Sequence, residues 1–333
     1  MFKRAATIVV VLAIALATFF LIPSKKAQAG TFGMPVILVH GFNLQNNLGC
    51  NDGNTFGGIK SFFANNYGWG NSLRTVGWYN QDHNCDGYLY YESYHCTGWY
   101  DSGINDGTMN EDIRHLSCLL AWYIWDYYTH YFTKVAVIAH SMGGILIRQA
   151  LNDTPYIAAF PPYLTVTDVA TAGTPHQGLS GGAAWWEQRQ GCPGDCVQVA
   201  QMESANALMS NMNSTSWRNG FARNPQGYGG TDWTTMSSQA DEVLYWWGSV
   251  EGLGSPNSVT ATELCGLMPG AGHFVIYPGP SPLYNHGGYL IDPSTSWSAN
   301  EIFSDNNGRN WVTTSTSAHS IWTMYFAVQF SYW

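Results

Sequence analysis

Residues Val135 to Ala139 are five consecutive apolar side chains, closed by His140-Ser141-Met142-Gly143-Gly144, and a helical pattern runs from Gly143 to about Asn152. A short apolar run ended by glycines reads as a strand buried on both faces, the usual condition of a strand in a parallel sheet. Passing from that strand straight into a helix demands a sharp turn. Such a turn brings neighbouring backbone close, so small residues are needed two places before and after it, as Ala139 and Gly143 are. The Ser141 hydroxyl then projects above the strand at a helix N-terminus, where the Met142 N–H is free to meet a developing negative charge. Ser-x-Gly alone is common by chance. Its position between an apolar strand and a helix makes Ser141 a candidate nucleophile.

The flanking sequence repeats the strand–helix rhythm. Pro35 to Gly41, Leu73 to Tyr79, Thr165 to Gly173, Trp233 to Ser238 and His273 to Tyr277 are further short strand patterns. Between the second and Val135, a helix is expected from Asn110 to about Tyr131, with Ile113, Leu116, Leu120, Ile124 and Tyr127 on one face. This alternation predicts an α/β fold with a mainly parallel sheet of about six strands flanked by helices. Residues 177–230 break the rhythm with Gly-Gly pairs and helical patches near 183–189 and 197–212, so they are expected to be a cap or lid insertion. One domain, 30–333, accounts for the rest.

Residues 1–29 read as a secretory signal peptide: a basic Lys3-Arg4 start, an apolar stretch over 5–22, and Ala27-Gln28-Ala29 as the cleavage site. An uncleaved membrane anchor is the alternative, because the stretch approaches bilayer-spanning length. Removal takes Lys3, Arg4, Lys25 and Lys26 and moves the net charge from −9 to −13. So few basic groups exclude nucleic-acid binding, and no stable membrane insertion is expected after cleavage. Export makes disulfides expected among the seven cysteines. Cys192 with Cys196 flank a Pro-Gly-Asp turn, and Cys50 is suited to Cys85 or Cys96. Cys118, inside the helix pattern, is expected to be the free one. No metal site is expected, since neither paired Cys-x-x-Cys nor His-x-x-x-His spacing occurs and no calcium-loop cluster is present. No cofactor is required.

An activated serine needs a base, and the base an orienting acid, on loops at the C-terminal end of the sheet. Downstream of Ser141 stand His176, His273, His286 and His319. His176 directly follows a strand, ahead of every good acid, and is expected at the rim of the substrate pocket. His273 opens a strand at its wrong end, and His319 is a weaker alternative. His286, in Tyr284-Asn285-His286-Gly287-Gly288, fits best as base, with Asp241, three residues past the strand ending at Ser238, as acid. The backbone N–H of Phe42, after His40-Gly41, is expected to be the second oxyanion donor beside Met142. His40 itself is expected to pack structurally. Trp185 and Trp186 are candidate pocket residues, and with Trp246-Trp247 they also suggest a non-catalytic polysaccharide-binding module.

Val39-His40-Gly41-Phe42, Ala139-His140-Ser141-Met142-Gly143-Gly144 and Thr171-Ala172-Gly173-Thr174-Pro175-His176-Gln177-Gly178 together resemble secreted bacterial lipases and esterases of the α/β-hydrolase superfamily. The likeness extends over residues 35–290. It implies an α/β-hydrolase fold and a Ser141–His286–Asp241 triad that cleaves carboxylic esters, with a neutral ester or lipid as substrate. Amide, thioester or acyl-transfer chemistry on the same triad is the near alternative. Ala139 stands where most of the superfamily has glycine, a variant that small lipases share. Residue 30 lies only five residues before the first strand, too close for the fold's two leading strands.

Overall fold

The computed structural model describes residues 33–69, 72–96, 106–179, 196–238, 241, 243, 266–277, 286–290, 301–304, 312–314 and 319–329. In chain order the main elements are β1 (Val36–Val39), α1 (Gly57–Tyr67), β2 (Leu73–Gly77), β3 (Gly87–Tyr88), α2 (Ile113–Tyr127), β4 (Val135–His140) and α3 (Met142–Asp153). There follow β5 (Val166–Ala172), α4 (Val197–Gln201), α5 (Ala207–Asn213), β6 (Asp232–Ser238), β7 (His273–Tyr277), β8 (Glu301–Ser304), β9 (Val312–Thr314) and α6 (Ser320–Gln329).

The strands form one sheet in the order β3-β2-β1-β4-β5-β6-β7-β8-β9. The first seven run parallel, and β8 and β9 add antiparallel pairs at one edge. All six strands expected from the sequence are present. The short β3, β8 and β9 extend the sheet, as does no pattern long enough to read in advance.

Period-two alternation explains why the central strands are apolar throughout. Along β4, Val135, Val137 and Ala139 join one core with α2 and α3, while Ala136 and Ile138 join a second core with α1 and α6. In the expected α2 stripe, Ile113, Leu116, Leu120 and Ile124 are buried, whereas Tyr127, at the last turn where the helix ends short of Tyr131, is exposed; Asp112 caps the helix by accepting the Arg114 N–H at 2.7 Å. Neither α1 nor α6 was evident from periodicity. Their inward residues, Ile59, Phe62 and Phe63 on α1 and Ile321, Met324 and Tyr325 on α6, meet each other across the sheet's far face.

The cysteine expectations need one correction. Cys96 pairs with Cys118, so Cys118 is not free; its helix presents it toward the segment after β3, with the Cα atoms 6.1 Å apart. Cys50 pairs with Cys85. Cys196 is disulfide-bonded to a cysteine outside the described residues, where Cys192 and Cys265 lie. The expected signal segment and the helical patch at 183–189 also lie outside them. The patch at 197–212 is two helices, α4 and α5, rather than one. No helix among the described residues is long and apolar enough to cross a membrane.

Candidate active site

The chain leaves β1 outward to β2 and β3, then returns to lay β4 on the other side of β1. Loops leaving β1 and β4 therefore diverge, opening a crevice at the carboxyl ends of these strands. Phe42 and Ser141 lie in that crevice.

Ser141 has φ 54° and ψ −132°, a conformation that L-residues adopt only when the surroundings enforce it. Its N–H donates to the Ala172 carbonyl at 3.0 Å, and its own carbonyl accepts the Gly144 N–H at 3.0 Å. The two close approaches are made by glycines. A Cβ on Gly143 would stand 2.4 Å from the carbonyl oxygens of Val39 and His40, and one on Gly41 would stand 2.4 Å from Ser141 Cβ. Met142 opens α3, so its N–H has no partner within the helix.

The structure brings the three expected side chains together across 145 and 45 residues of sequence. His286 Nε2 lies 2.8 Å from Ser141 Oγ, and His286 Nδ1 lies 3.0 and 3.2 Å from the two Asp241 oxygens. A carboxylate only accepts, so Nδ1 carries the proton and Nε2 is left to accept from the Ser141 hydroxyl. Asp241 is buried, and its Oδ1 also accepts the Val243 N–H at 3.0 Å. Beside Ser141 a cleft of about 500 Å³ is lined by Phe42, Leu44, Leu179, Val199, Met202 and Val243, together with Ser141 and His286. Several of these apolar walls come from the segment expected to form the cap.

The other histidines lie elsewhere. His176 does not line the cleft, contrary to expectation; its neighbour Pro175 does. The His176 ring is turned inward, 2.9 Å from Thr171 Oγ1, and burial holds it well below the usual imidazole range. His273 pairs with Asp232 at 3.1 Å at the N-terminal ends of β6 and β7, away from Ser141, as its position implied. His319 packs on Phe62 and Trp322. His40 stacks on Trp78 and bonds to Asp82 at 2.9 Å, a packing role as expected. Trp185, Trp186, Trp246 and Trp247 lie outside the described residues.

Two residues escaped the sequence reading. His140 Nε2 lies 2.6 Å from the His286 carbonyl, so it donates there and anchors the histidine loop beside the serine. Burial, helped by the nearby His286, lowers His140 to about 3, which keeps this ring neutral. Arg148, buried on α3, donates to the carbonyls of His176, Met212 and Ala222 and to Asn213 Oδ1, at 2.7 to 3.1 Å. Partners 28 to 146 residues distant leave no local pattern to read.

Seven parallel strands within one nine-stranded sheet, flanked by helices and with a serine on a strained strand–helix turn at the switch point, form the mainly parallel α/β architecture expected from the sequence. No family model matches the chain, and no curated protein matches it in sequence. Among solved structures, the mature lipase BlEst2 of Bacillus licheniformis is 18% identical over 66% of this chain and 72% of its own, with a TM-score of 0.37. Its propeptide form is 18% identical over 81% of this chain and 50% of its own, with a TM-score of 0.44. Lipase B of Aspergillus fumigatus is 15% identical over 78% of this chain and 51% of its own, with a TM-score of 0.41. The chain thus spans about half the length of the latter two. Likeness at this level decides nothing about the reaction.

Proposed function

We propose that this chain is a serine hydrolase that cleaves carboxylic esters through an acyl-enzyme. The observation that carries the reading is the continuous relay from Ser141 Oγ through His286 to Asp241, at 2.8 and 3.0 Å. His286 Nε2 takes the hydroxyl proton as Ser141 Oγ attacks the ester carbonyl, and buried Asp241 stabilises the imidazolium that results. The N–H groups of Met142 and Phe42 receive the oxyanion. His286 then protonates the leaving alcohol. Water, deprotonated by the same nitrogen, releases the acid and restores Ser141.

The apolar walls of the cleft favour an uncharged acyl group, and residues 177–230 act as a cap over it. Export through residues 1–29 places the enzyme outside the cell, where disulfides such as Cys50–Cys85 and Cys96–Cys118 persist. Ser141→Ala, with circular dichroism showing the fold intact, is expected to reduce p-nitrophenyl acyl ester hydrolysis to the uncatalysed level. Undiminished turnover in that variant overturns the proposal.

A further inference from the structure

The segment after β3 holds a group of side chains that ester cleavage does not use. Glu92 ends a 3₁₀ turn (Leu89–Glu92), His95 follows three residues later, and Asp126 lies in the last turn of α2. His95 Nε2 stands 3.0 Å from Asp126 Oδ2 and 4.0 Å from Glu92 Oε2. One ligating atom from each of the three lies within 4.8 Å of the others. None of them lines the Ser141 cleft.

Glu92 is only 4% exposed and points into this cluster. Its ion-pair partner among the described residues is His95, 4.0 Å away, while the Asp126 carboxyl both repels it and lies within hydrogen-bonding reach of it. A carboxylate withdrawn from water beside a second carboxylate is costly unless a cation or a proton joins them.

The ligands are also held in place. The His95 ring stacks on Trp122, with centroids 3.8 Å apart and planes 3° from parallel, and the Trp122 indole N–H is fixed on the Ala159 carbonyl at 2.8 Å. Cys96, beside His95, is tied to Cys118 of the same helix α2.

We propose that Glu92, His95 and Asp126 form a divalent-cation site selective for zinc, which clamps the Tyr88–Cys96 segment to α2. One imidazole and two carboxylates are a donor set that zinc takes in four-coordination, with water in the remaining place. Calcium calls for six to eight oxygens and magnesium for an octahedron of oxygens, which three such side chains do not supply. Zinc bonds of about 2.0–2.2 Å set tetrahedral donors roughly 3.3 Å apart, so rotamer-scale movement of the carboxylates closes the cluster. To bind the metal through Nε2, the neutral His95 ring carries its proton on Nδ1, and both carboxylates must be deprotonated, so binding weakens in acid. No sequence pattern announced the site, because Asp126 is 31 residues from His95.

The test uses the intact chain, stripped with a chelator and titrated with zinc chloride in a calorimeter, with thermal unfolding in parallel. Expected are one zinc per chain with micromolar or tighter affinity, proton release, and a rise in Tm. His95→Gln and Asp126→Asn should each weaken binding roughly tenfold or more, with ester hydrolysis unchanged. Absence of saturable one-to-one binding, or wild-type affinity in both variants, overturns the proposal. Should a variant fail to fold, cobalt(II) in the unaltered chain decides. Visible absorption that saturates at one equivalent and is displaced by zinc supports the site; its absence refutes it.

Discussion

At the scale of single residues, Ser141 depends on what its neighbours lack. Its left-handed φ persists because the Ala172 carbonyl holds its N–H and two glycines let backbone approach it. Gly41→Ala tests this most directly. The added Cβ would meet Ser141 Cβ at 2.4 Å and the His140 carbonyl at 3.2 Å, neither of which is the far end of a flexible side chain. Overpacking of this kind costs about 1–3 kcal/mol. A displacement of about 1 Å at the nucleophile costs on the order of 100-fold in rate. The variant is therefore expected to fold with a lowered urea midpoint and to lose most of its kcat. Full activity in it would show that the β1 loop does not position Ser141. The serine and these glycines were legible because a sharp strand–helix turn restricts residue size locally. His140 was not, because its role lies in a bond to a loop 146 residues away.

At the scale of elements, α3 does more than terminate the turn. Arg148 projects from it, and burial, with Arg223 nearby, lowers its guanidinium to about 9. The side chain nonetheless stays because it satisfies acceptors from three separate segments, at His176, at Met212 with Asn213, and at Ala222. It thereby ties the expected cap region to the helix that follows Ser141. Arg148→Met should leave those buried acceptors without their donor and cost roughly 3–5 kcal/mol, read as a fall in the urea midpoint. Arg148→Lys should restore little, since an ammonium lacks the planar fork that spans them. A near-neutral Arg148→Met would mean the cap region is held by its apolar contacts alone. Strands β1, β2, β4, β5, β6 and β7 were readable as short strand patterns between turn and helix signals. Helices α1 and α6 were not, because their buried faces are defined by each other and by the sheet rather than by a strong period.

At the scale of the molecule, only 13 basic and 22 acidic residues among 333 leave buried groups a large share of the response to pH. Folded His140 titrates near 3 and its unfolded counterpart near 6.5, so between these values only the unfolded chain takes up that proton. Stability present above 6.5 is lost as the pH falls toward 3. His176, also held below 6.5, acts in the same sense. In the metal-free chain Glu92 acts oppositely: from about 7 down to 4.5 the folded chain holds a proton that the unfolded chain releases. Below 4.5 that opposition ends, so the urea midpoint should fall most steeply there. In His140→Gln the loss should be shallower. Equal slopes in the two proteins would show that His140 is not buried as a neutral ring.

The sequence by itself determined the alternation of strands and helices, the serine at its sharpest turn, and the chain order of serine, acid and histidine. These follow from side-chain size and polarity acting over a few residues. Only the tertiary structure decided which histidine meets Ser141, that Cys118 is paired, that His176 turns away from the cleft, and that Glu92 and His95 face Asp126. Each of these is a meeting of side chains from separate elements. Sheet order and helix packing create such meetings, and local pattern carries no record of them.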